Sequence, residues 1–192
     1  MDQNESLLHE LDDRLSVVKR WGIVRTTQTQ SVAEHCFNVQ RICMKLAPYF
    51  GIVDHEEMFE LSQAALHHDD DEAIIGDIPS PAKIYVHTSE KEIDVSATAW
   101  YTDASDAVKM IVKLADMLEA YHFLAMEANL GNHYTRLHRL TLRNALLHFV
   151  ESHSLNVRTL CIRWMNQVDG EPSRVHHATA GSSTKSTTVL LG

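Results

Sequence analysis

The sequence predicts an all-α protein. Apolar residues recur along most of the chain at the three- and four-residue spacing of one helix face. Strand-like alternation is nearly absent, and the sequence contains no internal repeat. With 192 residues, of which 44% are hydrophobic and 22% charged, the chain has the size and composition of one soluble domain. We therefore expect one helical domain over residues 1–170 and a flexible tail over 171–192, where Ser, Thr, Gly and His dominate.

The helix boundaries are predicted from capping residues and helix breakers. Ser31, with Glu34 three residues later, is typical of a capping box, and Asp54 is typical of a helix N-cap. Residues 76–81 predict a rigid turn, because proline is tolerated neither inside a helix nor in a central strand. Residues 19–30 predict a loop that carries specific side chains. The helices predicted in this way cover approximately residues 3–19, 31–46, 54–68, 88–99, 105–129, 133–152 and 155–168.

Composition argues against several kinds of partner. The net charge of −9 should repel a nucleic-acid backbone, whereas a small anionic substrate remains compatible with locally gathered basic groups. No apolar run approaches the roughly 20 residues that cross a bilayer, and the first twenty residues are too acidic for a signal peptide. The three cysteines are scattered, as in proteins of a reducing compartment. We expect a cytoplasmic protein with no membrane or nucleic-acid partner.

Four residues from three predicted helices indicate a divalent-metal site. His68 and Asp69 are adjacent, so an ion lying over the edge of their helix could be reached by both. His35 upstream and Asp116 downstream would complete the set. Asp116 lies among apolar residues, where a carboxylate needs a lysine or a metal as its partner. Nitrogen and oxygen ligands do not distinguish Zn, Mn, Fe, Co and Ni, and four protein ligands would leave a position open for catalysis.

The structural alternative is that these residues bind no ion. A lone His-Asp pair is more often structural than metal-binding, and thirteen histidines make any single one weak support for a site. The acidic run at residues 69–72 could be a solvated turn. Its expected place at the C-terminal end of a helix is unfavourable, since negative charge there opposes the helix dipole. A bound cation would explain the run better.

Five short motifs carry a resemblance to a known family. They are Arg20-Trp21, Ser31-Val32-Ala33-Glu34-His35, His68-Asp69-x-x-Glu72, Gly76-Asp77-Ile78-Pro79-Ser80-Pro81-Ala82-Lys83 and Lys113-Leu114-Ala115-Asp116. Their order and spacing over residues 10–125 resemble the HD-domain phosphohydrolases, in particular the YfbR-like 5′-deoxynucleotidases and the related phage dATP triphosphohydrolases. Residues 21–26 look closer to the phage enzymes. The resemblance implies an HD-domain helical bundle with the metal site between core helices.

The resemblance also implies a role for each motif residue. The metal ligands would be His35, His68, Asp69 and Asp116. The catalytic residues would be Glu72, as acid or base near the phosphorus, and Asp77, which would support the water or the loop. The phosphate-binding residues would be Arg20, Lys83 and Lys113. The base and sugar pocket would be shaped by Trp21, Ile23 and Pro79.

The residues alone leave alternatives to these roles. Glu72 could be a surface glutamate rather than an acid or base that works one turn beyond the metal. Lys113 lies one turn before Asp116 and could simply pair with it. Lys83 could be an ordinary exposed lysine. Trp21 could belong to the core rather than stack on a base beside the guanidinium fork of Arg20.

Together these residues predict a metal-dependent phosphohydrolase that acts by attack of a metal-activated water on phosphorus. The favoured reaction is attack at the α-phosphorus of dATP, which releases deoxyadenosine and triphosphate. The alternatives are a 5′-deoxynucleotidase that acts on monophosphates and a metal-stabilised helical binding module without turnover. One divalent ion would be the cofactor, and Mg²⁺ could accompany the substrate phosphates. The resemblance further implies a homo-oligomer, located in the host cytoplasm if a phage encodes it.

Overall fold

The helical architecture is clear in a computed structural model that describes residues 13–79 and 99–170. Residues 13–17 are helical, and short 3₁₀ turns cover Ala47–Phe50 and His133–Thr135. Within the described ranges the only β pairing is an isolated bridge between Lys19 and Ser31. The predicted all-α class is confirmed. The helices are α1 Val32–Leu46, α2 His55–Leu66, α3 Glu72–Ile75, α4 Ala99–Thr102, α5 Asp106–Asn129, α6 Arg136–Glu151 and α7 Leu155–Val168.

Side-chain caps fix the beginnings of the helices that carry the site. The Ser31 hydroxyl accepts a hydrogen bond from the Glu34 N–H, and the Glu34 carboxylate accepts one from the Ser31 N–H, so the predicted capping box is present. Asp54 caps α2 through its carboxylate, and Ser105 caps α5 through its hydroxyl. These caps satisfy backbone N–H groups that have no partner within the helix.

The longest helix, α5, lies at the centre of the fold. It packs against α1, α2, α6 and α7. The core-facing side chains Leu114, Leu118, Tyr121 and Leu124 are almost completely buried. Burial of each such side chain contributes about 1.5–3 kcal/mol before entropy is counted, so α5 is held firmly by its neighbours. Polar groups on this helix are therefore fixed in position.

Glu127, near the end of α5, fastens the loop between residues 18 and 31 to the helix. Its side chain is only 1% exposed. Its carboxylate accepts hydrogen bonds from the N–H groups of Thr27 at 2.7 Å and Gln28 at 2.9 Å, and from the amide of Asn132 at 2.6 Å. Burial alone would raise the pKa of Glu127, but these donors outweigh it and lower the pKa. The loop is thus anchored to the central helix.

The structure corrects the predicted end of α2. The helix ends at Leu66 rather than reaching residue 68, so His68 and Asp69 lie in the following turn. The acidic residues explain the break, because Glu72 begins the separate helix α3. Negative charge is favourable at a helix N-terminus and unfavourable at a C-terminus. A smaller correction concerns α6, which begins at Arg136 after a 3₁₀ turn rather than at residue 133.

Several predictions concern parts of the chain outside the described residues. These are the first ten residues of the helix predicted at 3–19, almost all of the helix predicted at 88–99, the end of the 76–81 turn, Lys83 and the tail at 171–192. Among the helices that are described, none combines the length and hydrophobicity needed to cross a membrane.

Replacement of Glu127 by alanine should destabilise the fold. The N–H groups of Thr27 and Gln28 would lose their acceptor, and we expect the free energy of unfolding to fall by roughly 2–3 kcal/mol. Chemical denaturation would measure this. The exposed Glu151→Ala on α6 is the control, and it should change stability by less than about 0.5 kcal/mol. Equal stability of the two variants would contradict the anchoring role.

Candidate metal centre

The structure brings the four predicted metal ligands together. The Nε2 atom of His35 lies 3.4 Å from Oδ1 of Asp116 and 3.5 Å from Oδ2 of Asp69. The Nε2 atom of His68 lies 3.4 Å from the same oxygen of Asp69. Ligand atoms about 2.1 Å from a shared ion are separated by roughly 3–3.5 Å. The cluster therefore has dimensions that could hold one divalent metal.

The four predicted ligands come from three parts of the helical frame. His35 lies near the N-terminus of α1, directly after the capping box. His68 and Asp69 lie in the turn between α2 and α3, and Asp116 lies in the middle of α5. Because α1, α2 and α5 pack against one another, residues distant in sequence meet at one point.

Hydrogen bonds on the far side of both imidazoles select the tautomer that a metal requires. His35 Nδ1 lies 2.7 Å from Oε2 of Glu119, and His68 Nδ1 lies 2.8 Å from the carbonyl oxygen of Ala65. These oxygens only accept, so each Nδ1 carries the proton. Both Nε2 atoms are buried and have no hydrogen-bond partner among the described residues. Buried polar atoms of this kind are costly, and a bound cation would satisfy both.

The charges of the cluster favour occupation by a cation. Burial alone would lower the pKa of His35, but Asp116 and Glu119 outweigh it and raise the pKa to about 9. Burial alone would raise the pKa of Asp116, but His35, Lys113 and His68 hold it well below its usual range. Asp116 therefore remains ionised, and His35 holds a proton where a metal would otherwise bind.

Arg20 lies at the edge of the ligand cluster. Its Nη1 is 3.9 Å from Oδ2 of Asp69, and its Nη2 is 3.9 Å from Oδ1 of Asp116. The Nη1 atom is buried and has no hydrogen-bond partner within the described part of the chain. A guanidinium N–H in this state is suited to a phosphate oxygen. The phosphate-binding role of Arg20 stays a prediction, and its position agrees with it.

The other predicted phosphate ligand that the structure describes has a protein partner. Lys113 Nζ lies 2.9 Å from Oδ2 of Asp116, so the ion-pair alternative is realised. The Lys113 side chain is 55% exposed. It could therefore exchange this partner for a phosphate oxygen at little cost, because exposed ion pairs are weak.

Glu72 and Asp77 lie on either end of α3. Glu72 is 4% exposed, so it is not a surface glutamate, and its N–H donates to the carbonyl of Asp69. This places it one turn beyond Asp69, a predicted metal ligand. Asp77 accepts a hydrogen bond from the backbone N–H of Trp21 at 3.0 Å. Asp77 was predicted to support either the catalytic water or the loop, and its hydrogen bond to Trp21 corresponds to support of the loop.

Trp21 is held in an unusual conformation. Its φ angle is 68°, in the left-handed region that non-glycine residues rarely occupy. Its indole Nε1–H donates to Oε1 of Gln30 at 3.0 Å, and its ring stacks on Phe123 with centroids 5.3 Å apart. Such a backbone costs on the order of 1–3 kcal/mol and persists only where contacts over-determine it. Ile23, in the same loop, is 64% exposed, and Pro79 is partly buried.

Sequence reasoning missed three residues that support the site. Glu119 orients His35, Gln30 binds both Glu119 and Trp21, and Phe123 stacks on Trp21. A signal for Glu119 was present, since it lies one turn from Asp116 on the same helix and directly follows the apolar Leu118. Gln30 and Phe123 gave none, because their roles depend on contacts across the fold.

Cys36 is a further group near the centre that sequence reasoning left aside. Its Sγ lies within 4.8 Å of ligand atoms of His68 and Asp69. Burial, reinforced by the neighbouring carboxylates, raises the pKa of this thiol well above its ordinary value. Cys36 therefore lies beside the four predicted ligands with a protonated thiol.

Comparison with known proteins gives consistent results. Residues 10–99 match the family model described as 5′-deoxynucleotidase YfbR-like. The chain is 36% identical over 143 residues to a dATP triphosphohydrolase of Salmonella phage PMBT28. The aligned region covers 68% of this chain and 72% of that protein. It is 29% identical over 146 residues to a 5′-deoxynucleotidase of Pasteurella multocida. Here the aligned region covers 62% of this chain and 73% of that protein.

A solved structure shares the fold. It is the HD phosphohydrolase DatZ of cyanophage S-2L, bound to dA and one catalytic Zn²⁺ ion. The TM-score is 0.62 and the sequence identity 24%, with 83% of this chain and 93% of that chain covered. The similarity supports the HD-domain helical bundle.

Removal of one ligand should remove the metal. We expect His68→Ala to lose bound metal, because the affinity should fall by more than the roughly 10–100-fold typical of an outer-shell change. Metal content after dialysis against Zn²⁺ would be measured by mass spectrometry. The control is His122→Ala, an exposed histidine of α5, which should retain wild-type content. Retention of metal by His68→Ala would show that the cluster is not the site.

Metal affinity should increase with pH. The proton on His35 must leave before Nε2 can bind an ion, and its pKa lies at about 9. Below that pH we expect the affinity for Zn²⁺ to fall roughly tenfold per unit, and above it to level off. Competition with a chromophoric chelator at several pH values would measure the slope. An affinity independent of pH would contradict this account of His35.

Proposed function

This chain belongs to the YfbR-like family of HD-domain phosphohydrolases, and from that premise we propose that it hydrolyses deoxynucleotides, with dATP as its main substrate. The products would be deoxyadenosine and triphosphate. The observation that carries the proposal is the meeting of His35, His68, Asp69 and Asp116 beside the buried Glu72. Since its relatives are hydrolases, the chain is an enzyme, and the alternative of a binding module without turnover is set aside.

The residues around the cluster divide the chemistry between them. A divalent ion bound by the four ligands would provide a nucleophilic water at neutral pH and withdraw charge from a phosphoryl oxygen. Glu72, one turn from the ligands, would transfer a proton at the ester oxygen. Arg20, already facing the ligand carboxylates, would neutralise charge that develops on the phosphoryl oxygens. Asp77 would hold the Trp21 loop in place.

Two considerations favour a triphosphate substrate. The phage dATP triphosphohydrolase is the more similar relative, at 36% identity against 29% for the 5′-deoxynucleotidase. Lys83, Lys113 and Arg20 would together provide more cations than a single phosphate needs. Such an enzyme would suit a phage that replaces adenine in its DNA. Host-cytoplasm location and homo-oligomeric assembly stay predictions that accompany this proposal.

The 5′-deoxynucleotidase reaction remains the second candidate because of one contact. Lys113 is paired with Asp116 rather than directed away from the cluster, which leaves one cation fewer for a long phosphate chain. The same centre would then release inorganic phosphate from a deoxynucleoside monophosphate.

Product analysis distinguishes the two reactions. The protein would be incubated with each dNTP and each dNMP in the presence of Mn²⁺ or Co²⁺, and the products separated by chromatography. We expect deoxyadenosine and triphosphate from dATP. Phosphate from the monophosphates, with dATP intact, would establish the second candidate. Asp69→Ala, purified in parallel, controls for contaminating phosphatases, and no product from any deoxynucleotide would reject both reactions.

Glu72 should be needed for turnover but not for metal binding. In Glu72→Gln we expect the metal content to be unchanged and kcat to fall by about 10²–10⁴-fold, because the proton transfer is lost. The control is Glu57→Gln, an exposed glutamate of α2, which should behave as wild type. An unchanged kcat in Glu72→Gln would remove this residue from the mechanism.

A further inference from the structure

A continuous chain of hydrogen bonds connects Trp21, in the loop between residues 18 and 31, to His35 of the ligand cluster. Trp21 Nε1 donates to Oε1 of Gln30 at 3.0 Å, and Gln30 Nε2 donates to Oε1 of Glu119 at 2.6 Å. His35 Nδ1 lies 2.7 Å from the other carboxylate oxygen of Glu119. Gln30, Glu119 and His35 are 5%, 3% and 0% exposed. Three side chains from residues 21–35 and one from α5 thus form a single path, which is buried from Gln30 to His35.

The chemistry of the donors fixes the direction of every bond in this path. An indole N–H can only donate, so the Gln30 oxygen must face Trp21 and its amide nitrogen must face Glu119. An ionised carboxylate can only accept, so His35 must carry its proton on Nδ1. No member can be reversed without placing two donors or two acceptors against each other. The arrangement that satisfies Trp21 therefore also places Nδ1 of His35 against Glu119, with Nε2 facing the carboxylates of Asp69 and Asp116.

We propose that Gln30 and Glu119 are positioning residues that couple the orientation of the Trp21 indole to metal binding by His35. An ion on Nε2 polarises the imidazole and strengthens its Nδ1–H bond to Glu119. That bond orders the carboxylate, and the carboxylate orders the Gln30 amide that holds the indole. In a buried network of low dielectric such bonds reinforce one another. The assignment of Trp21 to a deoxynucleoside pocket rests on the proposed function, whereas the coupling itself does not.

A purely structural role makes a different prediction. If the network only stabilised the fold, its variants would be less stable but would bind metal as the wild type does. Coupling instead requires that the metal affinity depend on Trp21, which makes no contact with a ligand side chain in the described network. By reciprocity, the ion must change the affinity for a nucleoside by the same factor as the nucleoside changes the affinity for the ion.

The test measures Zn²⁺ affinity by competition with a chromophoric chelator at one pH. Glu119→Gln should bind Zn²⁺ about 10–100-fold more weakly than wild type. Gln30→Met and Trp21→Phe keep the volume or the ring but remove a bond of the path, and each should weaken binding by about threefold or more. The control is Trp164→Phe, the same substitution at a tryptophan outside the path, which should leave the affinity unchanged. Circular dichroism and thermal unfolding would establish that each variant is folded.

A second measurement uses deoxyadenosine as the probe. Calorimetric titration with and without Zn²⁺ should give different affinities for the wild type, and the difference should shrink in Gln30→Met. A direct contact between ion and nucleoside would leave the difference intact in this variant and would overturn the coupling. Wild-type Zn²⁺ affinity in Gln30→Met and Trp21→Phe would overturn it as well. These two variants decide the matter if Glu119→Gln does not fold.

The outcomes separate this inference from the proposed function. If no deoxynucleotide is hydrolysed but the Zn²⁺ affinities follow the expected order, the proposed function fails and the coupling holds. If dATP is hydrolysed but the affinities of the variants equal that of the wild type, the coupling fails and the proposed function holds.

Discussion

The rest of the site depends on one stripe of side chains along α5. Asp116, Glu119, Phe123 and Glu127 follow at spacings of three, four and four residues, so they share a face over about 16 Å of helix. The first faces the candidate ion, the second binds His35 and Gln30, the third stacks on Trp21 and the last holds the backbone at Thr27 and Gln28. Three of the four are carboxylates, and those of Glu119 and Glu127 are almost completely buried. Buried carboxylates require partners, and the partners they recruit are the parts of the site.

The balance of charge explains why the centre is compatible with both a metal-free and a metal-loaded protein. Asp69, Asp116 and Glu119 bring three negative charges to one place, and Arg20, Lys113 and protonated His35 oppose them. A divalent ion that replaces the proton of His35 would add one positive charge where carboxylate oxygens already converge. Arg20 would then be less strongly held by Asp69 and Asp116, and its guanidinium would be freer to meet an anionic substrate. In the proposed mechanism, metal binding and phosphate binding would thus depend on the same charges.

The sequence predicted the parts of this arrangement that local rules govern. Capping at Ser31 and Asp54 depends on residues two or three positions apart, and both caps are present. The predicted end of α2 at residue 68 was wrong, because the apolar spacing continues to that residue although the helix ends at Leu66. The acidic residues that follow favour a new helix start instead. The contacts of Gln30 and Phe123 had no local signal. Gln30 binds Glu119, which is 89 positions away, and Phe123 of α5 stacks on Trp21 of the loop. Only the packing of the whole bundle decides that these side chains meet.

This dependence on packing also indicates where the proposed nucleoside pocket would be able to vary. Trp21 has a left-handed backbone, an indole bound to Gln30 and a ring stacked on Phe123, so a change there disturbs the loop and the path to His35 together. Ile23 is largely exposed and lies outside that network. Its side chain can therefore change in size without disturbing the ligand cluster. Under the proposed function we therefore expect Ile23 to be the position at which base selectivity is altered most readily. Trp21 and Gln30 are more constrained, because their contacts extend to the same face of α5 that carries Asp116.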